Sequence, residues 1–444
     1  MRDKSTLSVT LQRTRWGLVA LLLAIAIVNY LDRANLAIAS GLISSEFGLS
    51  ATQMGFLLSA FLWPYALANL PAGWLIDRFG PKRILGTAMS IWGVVTAGAA
   101  LVNAFAPFYA LRMLLGVTEA PFFPGSIKVM HRWFAERERG LPTSVINTGS
   151  QIANAIAPPL LTVLMLTLGW RGMFIAIGLL SVPLLVLWLL AYRLPAAQED
   201  RDIHGQAAPA IAPAAATAAT AQQADAAAPA SWGALFRQRI TWFMILGNFS
   251  IMFTIWVYLT WLPRYLQNTL GFSLSTTGWV ASLPYLAGIL GVLVGGQLSD
   301  ALIRRGHRTV FARKVPIVGG ALLAACSVAP IPFLGDATTI IALLTLGYFA
   351  SQLPSGVIWT LASDVAPPTQ VASLGAIQNF GGFLGAACAP IATGIILDAT
   401  GSFKGVFLLG AALLTLGAIS YGFFVRQPLG GVQTTPASPR PAMA

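Results

Sequence analysis

Apolar runs of about twenty residues, separated by short polar connections, dominate this chain from end to end. A membrane-spanning helix needs roughly 20 mostly apolar residues. Twelve segments satisfy that: about 16–38, 54–76, 84–104, 107–130, 141–166, 171–193, 240–266, 276–302, 313–333, 338–362, 370–397 and 403–425. The pattern predicts an all-α membrane protein of twelve transmembrane helices in two six-helix bundles. Residues 195–231, rich in Ala and Pro, have no apolar face to bury and read as a flexible cytoplasmic linker. The expected layout is an N-terminal bundle over 1–194, the linker 195–231, a C-terminal bundle over 232–427 and a disordered cytoplasmic tail over 428–444.

Composition sharpens this picture. The 444 residues are 56% hydrophobic and only 9% charged, against about a quarter charged in a typical soluble domain, and mean hydropathy is +0.72. A soluble globular protein and a disordered chain are both excluded. A net charge of +12 would point to nucleic acid in a soluble protein; here the basic residues punctuate apolar runs and report orientation instead. With the N-terminus in the cytoplasm, the outer connections hold only Arg171 and Lys404. Arg33, Arg112, Lys128 and Arg264 lie at membrane depth, and the rest of the 27 Lys and Arg fall on the inner side. That asymmetry places both termini in the cytoplasm. The two cysteines sit in apolar runs and the three histidines in polar loops, so neither a disulfide framework nor a metal centre is expected, and no cofactor.

The two halves repeat. Gly48, Ser50, Gly55, Ser59, Gly73, Leu75 and Asp77 recur as Gly271, Ser273, Gly278, Ser282, Gly296, Leu298 and Asp300, each offset by 223 positions. Two repeated six-span halves about a central linker form a transporter architecture with its substrate site near mid-membrane between them. The loop after the second span, Gly73-Trp-Leu-Ile-Asp77-Arg78-Phe-Gly80-Pro-Lys82-Arg83, resembles the signature loop of the major facilitator superfamily. The second copy, Gly296-Gln-Leu-Ser-Asp300, is degenerate. An Asp at a helix end among basic residues can form a charged latch between helices.

Asp32, Arg33, Arg112 and Glu119 interrupt apolar spans. A charge at the bilayer centre costs about 2.5–3.5 kcal/mol on insertion scales, so such residues face a cavity or each other. At 1.5 Å per residue, Asp32 lies about 24 Å up from the inner side and Arg112 about 7–8 Å down from the outer side. In a core of about 30 Å these depths nearly coincide, so an Asp32–Arg112 pair is geometrically possible. Glu119, seven residues beyond Arg112, returns to the same helix face. Lys128 and Arg264, nearer span ends, read as structural charges that snorkel to the interface.

Asn29-Tyr30-Leu31-Asp32-Arg33-Ala34-Asn35, Arg112-Met-Leu-Leu-Gly116-Val-Thr-Glu119-Ala-Pro121 and Trp256-Val-Tyr-Leu-Thr260-Trp261-Leu-Pro263 together resemble the anion:cation symporter family of the major facilitators, most nearly its bacterial galactonate- and hexuronate-type sugar-acid permeases. The resemblance implies a monomeric inner-membrane importer of a small organic anion (an aldonate, hexuronate or aldarate) coupled to protons. It implies Asp32 and Glu119 as proton carriers, Arg112 modulating Asp32, and Arg33 holding the substrate carboxylate. Tyr30, Tyr65, Trp359 and Asn379 would contact the polyol or close the pocket. Ser150 departs from the glutamine expected at its position, with Gln151 one residue on, and Asp364 stands where a small polar residue is expected. Chemistry agrees with the first part, because a guanidinium fork suits a carboxylate. The rival readings are an antiporter exporting organic anions or drugs and, more remotely, a receptor. An intramembrane Arg beside two acids favours an anion over a cationic drug. No Walker A, H-E-x-x-H or G-x-S-x-G pattern points to ATP-driven transport or a hydrolase.

Overall fold

Helices occupy each of the twelve apolar segments in the computed structural model, which describes residues 9–135, 138–204, 235–366 and 371–425. Eight of them are by themselves long and apolar enough to cross a bilayer. The first, α1 (Val9–Phe47), is followed by α2 (Ala51–Ser59) and α3 (Leu62–Phe79), which together make the second segment. Then come α4 (Pro81–Gly98), and α5 (Phe105–Glu119) with α6 (Phe122–Trp133). The 52 residues of α7 (Gly140–Ala191) would measure about 78 Å at 1.5 Å per residue, more than twice a bilayer core. Gly169, at φ 71°, turns the chain back and divides α7 into the fifth and sixth segments; a side chain would strain that left-handed backbone. A short α8 (Ala197–His204) opens what the sequence presents as a flexible linker. The rest of the linker, 205–231, and the tail 428–444 lie outside the described residues.

The second half runs α9 (Arg239–Asn268), α10 (Leu274–Arg304), α11 (Thr309–Val328), α12 (Ala337–Gln352) with α13 (Ile358–Val365), α14 (Val371–Thr400) and α15 (Lys404–Ile419). Three segments are interrupted, between α2 and α3, α5 and α6, and α12 and α13, each beside a proline: Pro64, Pro121 with Pro124, and Pro354. Proline lacks the amide that the helical ladder needs. Irregular backbone survives at membrane depth only where protein or a cavity covers it. The first break is covered by Gly116, where an added Cβ would come within 2.2 Å of the Phe61 carbonyl oxygen. That close approach brings the Phe61 ring into the centre of the bundle.

The two halves meet closely at the end remote from Val9 and Val425. Asp398 of α14 accepts hydrogen bonds from the amides of Ala51 (2.9 Å) and Thr52 (2.7 Å), capping α2 across the interface. A Cβ on Gly55 would meet the Pro390 carbonyl oxygen at 2.4 Å, and one on Gly394 the Ala51 carbonyl oxygen at 2.3 Å. Helices this close attract through packing of small residues. Ser59 donates to the Ala387 carbonyl at 2.7 Å, and Arg264 donates to Ser44 at 3.2 Å. Gly278, the repeat mate of Gly55, occupies the corresponding crossing of α10 on α7, against Thr162. Toward the other end, Asn147, Thr148, Trp359 and Phe380 are exposed.

The repeated aspartates sit near that other end, in the last turns of helices rather than in loops, Asp77 in α3 and Asp300 in α10. Asp77 pairs with Lys128 at 2.6 Å, so Lys128 is the partner of the first latch rather than a free interfacial charge. Both are substantially exposed, and such a pair contributes at most about 1 kcal/mol. Arg78 lies over Trp74. In the second half Arg313 bridges Asp300 (3.0 Å) and Asp364 (3.3 Å), which accounts for the unexpected acid at 364.

Because Asp398 holds backbone amides, its replacement tests the closed end directly. Asp398→Ala removes both acceptors, a loss of about 1 kcal/mol, which shifts a two-state equilibrium about fivefold. In a background with Cys326→Ser and Cys388→Ser, maleimide labelling at Ser44→Cys is expected to accelerate by that factor. An unchanged rate would show that the cap does not hold this end shut.

Candidate functional site

Four ionisable side chains meet where α1 crosses α5. Asp32, Arg112 and Glu119 are buried, and the Arg33 side chain is 11% exposed. Asn29, Asp32 and Arg33 share one face of α1 by helical spacing, and Arg112 and Glu119 share one face of α5. The shared depth expected for Asp32 and Arg112 is found, but the contact differs. Arg112 donates to the backbone carbonyl of Asp32 at 3.0 Å and to the side-chain oxygen of Asn35 at 2.9 Å. A guanidinium has a planar fork, and these two acceptors, three residues apart on α1, match its span. The Asp32 carboxyl faces the hydroxyl of Thr96 instead.

The ion pair of the site joins the other two charges. Arg33 Nε donates to Glu119 Oε2 at 3.0 Å, while its Nη2 donates to Asn29 at 2.9 Å. Three rings enclose the same guanidinium: Tyr30, Phe61 and Tyr65 lie 4.5, 4.6 and 4.6 Å from its central carbon. A desolvated cation over an aromatic face gains about 2 kcal/mol or more. The cage therefore holds Arg33 in place whether or not a carboxylate faces it. Tyr65 also packs on Phe383 of α14, joining the halves.

Arg33 and Tyr30 line a cavity between the halves, with Ala34, Leu36, Leu58, Phe61, Arg112 and Asn154 from the first half and Trp256, Leu259 and Thr260 from the second. Tyr65 reaches the cavity region through Arg33, and the Ser150 hydroxyl lies near that of Tyr30. Gln151, Asn379 and Trp359 are not part of this lining; Gln151 and Asn379 are half-buried and Trp359 is exposed. Asn35, Phe61, Asn154, Trp256 and Thr260 were not anticipated as site residues. Asn154 had a legible signal, a polar amide in an apolar span one turn beyond Ser150. Phe61 had none, because its position depends on the break in the helix. Among the described residues no cluster of His, Cys, Asp and Glu could hold a metal ion.

Removing Arg112 strands the Asn35 oxygen in a buried place. Arg112→Ala is expected to lower stability by about 1–3 kcal/mol, seen as a reduced Tm of the detergent-solubilised protein. An unchanged Tm would mean that the two hydrogen bonds of Arg112 carry no net stability.

A family model described as Major Facilitator Superfamily matches residues 22–387. The chain is 37% identical over 422 residues to a probable L-galactonate transporter of Escherichia coli, covering 95% of this chain and 92% of the relative. It is 32% identical over 421 residues to a probable galactarate/D-glucarate transporter of Bacillus subtilis, covering 92% and 91%. Its fold is similar to that of a bacterial homologue of the human lysosomal transporter Spinster, with a TM-score of 0.75 at 15% identity, covering 92% of this chain and 96% of that one.

Proposed function

The chain belongs to the Major Facilitator Superfamily as a multi-pass membrane transporter of the sugar-acid type, not an enzyme, and we propose that it imports a small sugar acid together with protons by alternating access. The observation that carries this reading is the Arg33–Glu119 pair. The guanidinium that would grip a substrate carboxylate is already held by an internal one. Two carboxylates compete for one fork, so a proton on Glu119 and an anion on Arg33 favour each other.

The cycle follows from that competition. A proton reaching Glu119 cancels its charge and releases Arg33, whose aromatic cage keeps it oriented for the incoming anion. After the halves rock and the anion leaves, Arg33 pairs again with Glu119 and drives the proton off. Asp32, whose carboxyl faces Thr96 beside the ion pair, is the second proton carrier, with Arg112 fixed to the same turn of α1. Ser150, Gln151, Asn379 and Trp359, toward the end away from the Asp398 cap, complete the pocket as it closes. The charge asymmetry of the connections supports both termini in the cytoplasm. In that orientation the cap closes the outer side, and the formed Arg33–Glu119 pair belongs to an inward-facing, substrate-free state. Asp77 with Lys128 and Asp300 with Arg313 would brace the helix ends that move, Gly73 and Arg78 of α3 among them. The intact six-helix units 1–194 and 232–427 are the bodies that rock. The cation at the cavity supports an organic anion over a cationic drug.

Two measurements bear on the cycle. In calorimetry on monodisperse protein, Arg33→Ala is expected to lose at least about a hundredfold in affinity for galactonate or a related acid, the equivalent of two charge-assisted hydrogen bonds. Arg33→Lys should also be poor because an ammonium lacks the fork. Near-native affinity in Arg33→Ala would sink the assignment. Glu119→Gln mimics the protonated acid, so counterflow exchange in proteoliposomes should persist while uptake driven by a pH gradient is lost. Gradient-driven accumulation surviving in Glu119→Gln would remove Glu119 from the coupling.

A further inference from the structure

The cavity wall is electrically lopsided. Arg33 and Arg112 supply its cations, both from the first half, and both nitrogens at the tip of Arg112 are committed to Asp32 and Asn35. The rest of the polar wall is neutral. Asn154 of α7 makes no hydrogen bond among the described residues, and its amide is half-buried at the cavity edge. Across the interface, Trp256 and Thr260 lie one turn apart on α9 with Leu259 beside them. The Thr260 hydroxyl donates its proton to the Trp256 carbonyl. Toward the cavity it therefore offers only lone pairs.

From this polarity we infer that the site selects acids with a single carboxylate and a hydroxylated tail, aldonates rather than aldarates, and that Asn154 and Thr260 are the residues that determine it. The inference rests on the sugar-acid reading proposed above. With one carboxylate on Arg33, the tail of the molecule extends toward Asn154 and the α9 wall. A tail hydroxyl can donate to Thr260 and can both donate to and accept from Asn154. A second carboxylate in the same place would set its negative oxygens against the lone pairs of Thr260 and the apolar edge of Leu259, with no free cation to offset its desolvation. Rejection of the dicarboxylate therefore comes from an unmatched charge, and acceptance of the aldonate from matched hydrogen bonds. The two curated relatives carry names from both classes, so overall similarity does not decide between them, whereas the hydrogen-bond polarity of the far wall does.

The test is calorimetric binding to the full-length protein at pH 7, where both carboxyl groups of an aldarate are ionised. The probes are galactonate, gluconate, galactarate and glucarate. The wild type is expected to bind at least one aldonate tenfold or more tighter than either aldarate. Thr260→Val and Asn154→Leu should each weaken that aldonate about tenfold. Asn154→Arg, which adds a cation to the far wall, should narrow or invert the preference. Aldarates binding the wild type as tightly as aldonates would overturn this inference and leave the sugar-acid reading standing. So would an unchanged aldonate-to-aldarate ratio in folded Thr260→Val and Asn154→Leu. Failure of all four acids to bind the wild type would overturn the sugar-acid reading and this inference with it.

Discussion

A guanidinium placed in the middle of a membrane must be kept charged, kept in place and kept available, and the environment of Arg33 meets these three demands with different groups. Glu119 neutralises it at 3.0 Å, and Asn29 takes a second donor at 2.9 Å. The rings of Tyr30, Phe61 and Tyr65 hold its plane without consuming its hydrogen-bonding capacity. An ion pair buried in low dielectric is a poor source of net stability but a strong source of specificity for a state. Breaking it by proton transfer exchanges one charged arrangement for another instead of stranding a bare cation. The surrounding architecture serves this pair: the interruption at Pro64 and the bare Gly116 let Phe61 approach, and Tyr65 extends the cage toward Phe383 on the opposite half.

Arg112 has a different kind of task. Its two bonds go to a backbone carbonyl and an amide oxygen on α1, so it pins α5 to α1 whatever the protonation of Asp32. The Asp32 carboxyl is left facing Thr96 rather than the guanidinium. The two acids of the site are thus poised differently, Glu119 in an ion pair and Asp32 beside one.

Much of this was legible in the chain. Apolar run length located the helical segments, because in lipid the backbone has little choice but to satisfy its own hydrogen bonds. Depth counting brought Asp32 and Arg112 together, since helical rise is nearly constant. What it missed was which acceptor the guanidinium takes: counting along the axis resolves depth, not azimuth or rotamer. For the same reason the Arg33–Glu119 pair did not follow from spacing. The partners of Lys128 and Arg313 were hidden too, because helices distant along the chain meet only in three dimensions. The half-interface residues Trp256 and Thr260 appeared in the sequence as a likeness to a family, and only the meeting of the halves made them walls of a cavity.

The cap at Asp398 has a consequence for how this protein varies over time. Its acceptors hold main-chain amides of Ala51 and Thr52, groups that nearly every residue type supplies. The side chain at 51 can drift without loosening the contact, whereas the hydroxyls of Thr52 and Ser50 also face the carboxylate and the acid on the other half cannot change. A joint made mainly through main-chain groups leaves only a weak correlated pair of substitutions behind it. Relatives of this chain compared column by column would show an acid at one helix end answered at most by a small hydroxyl residue, although the two sites touch.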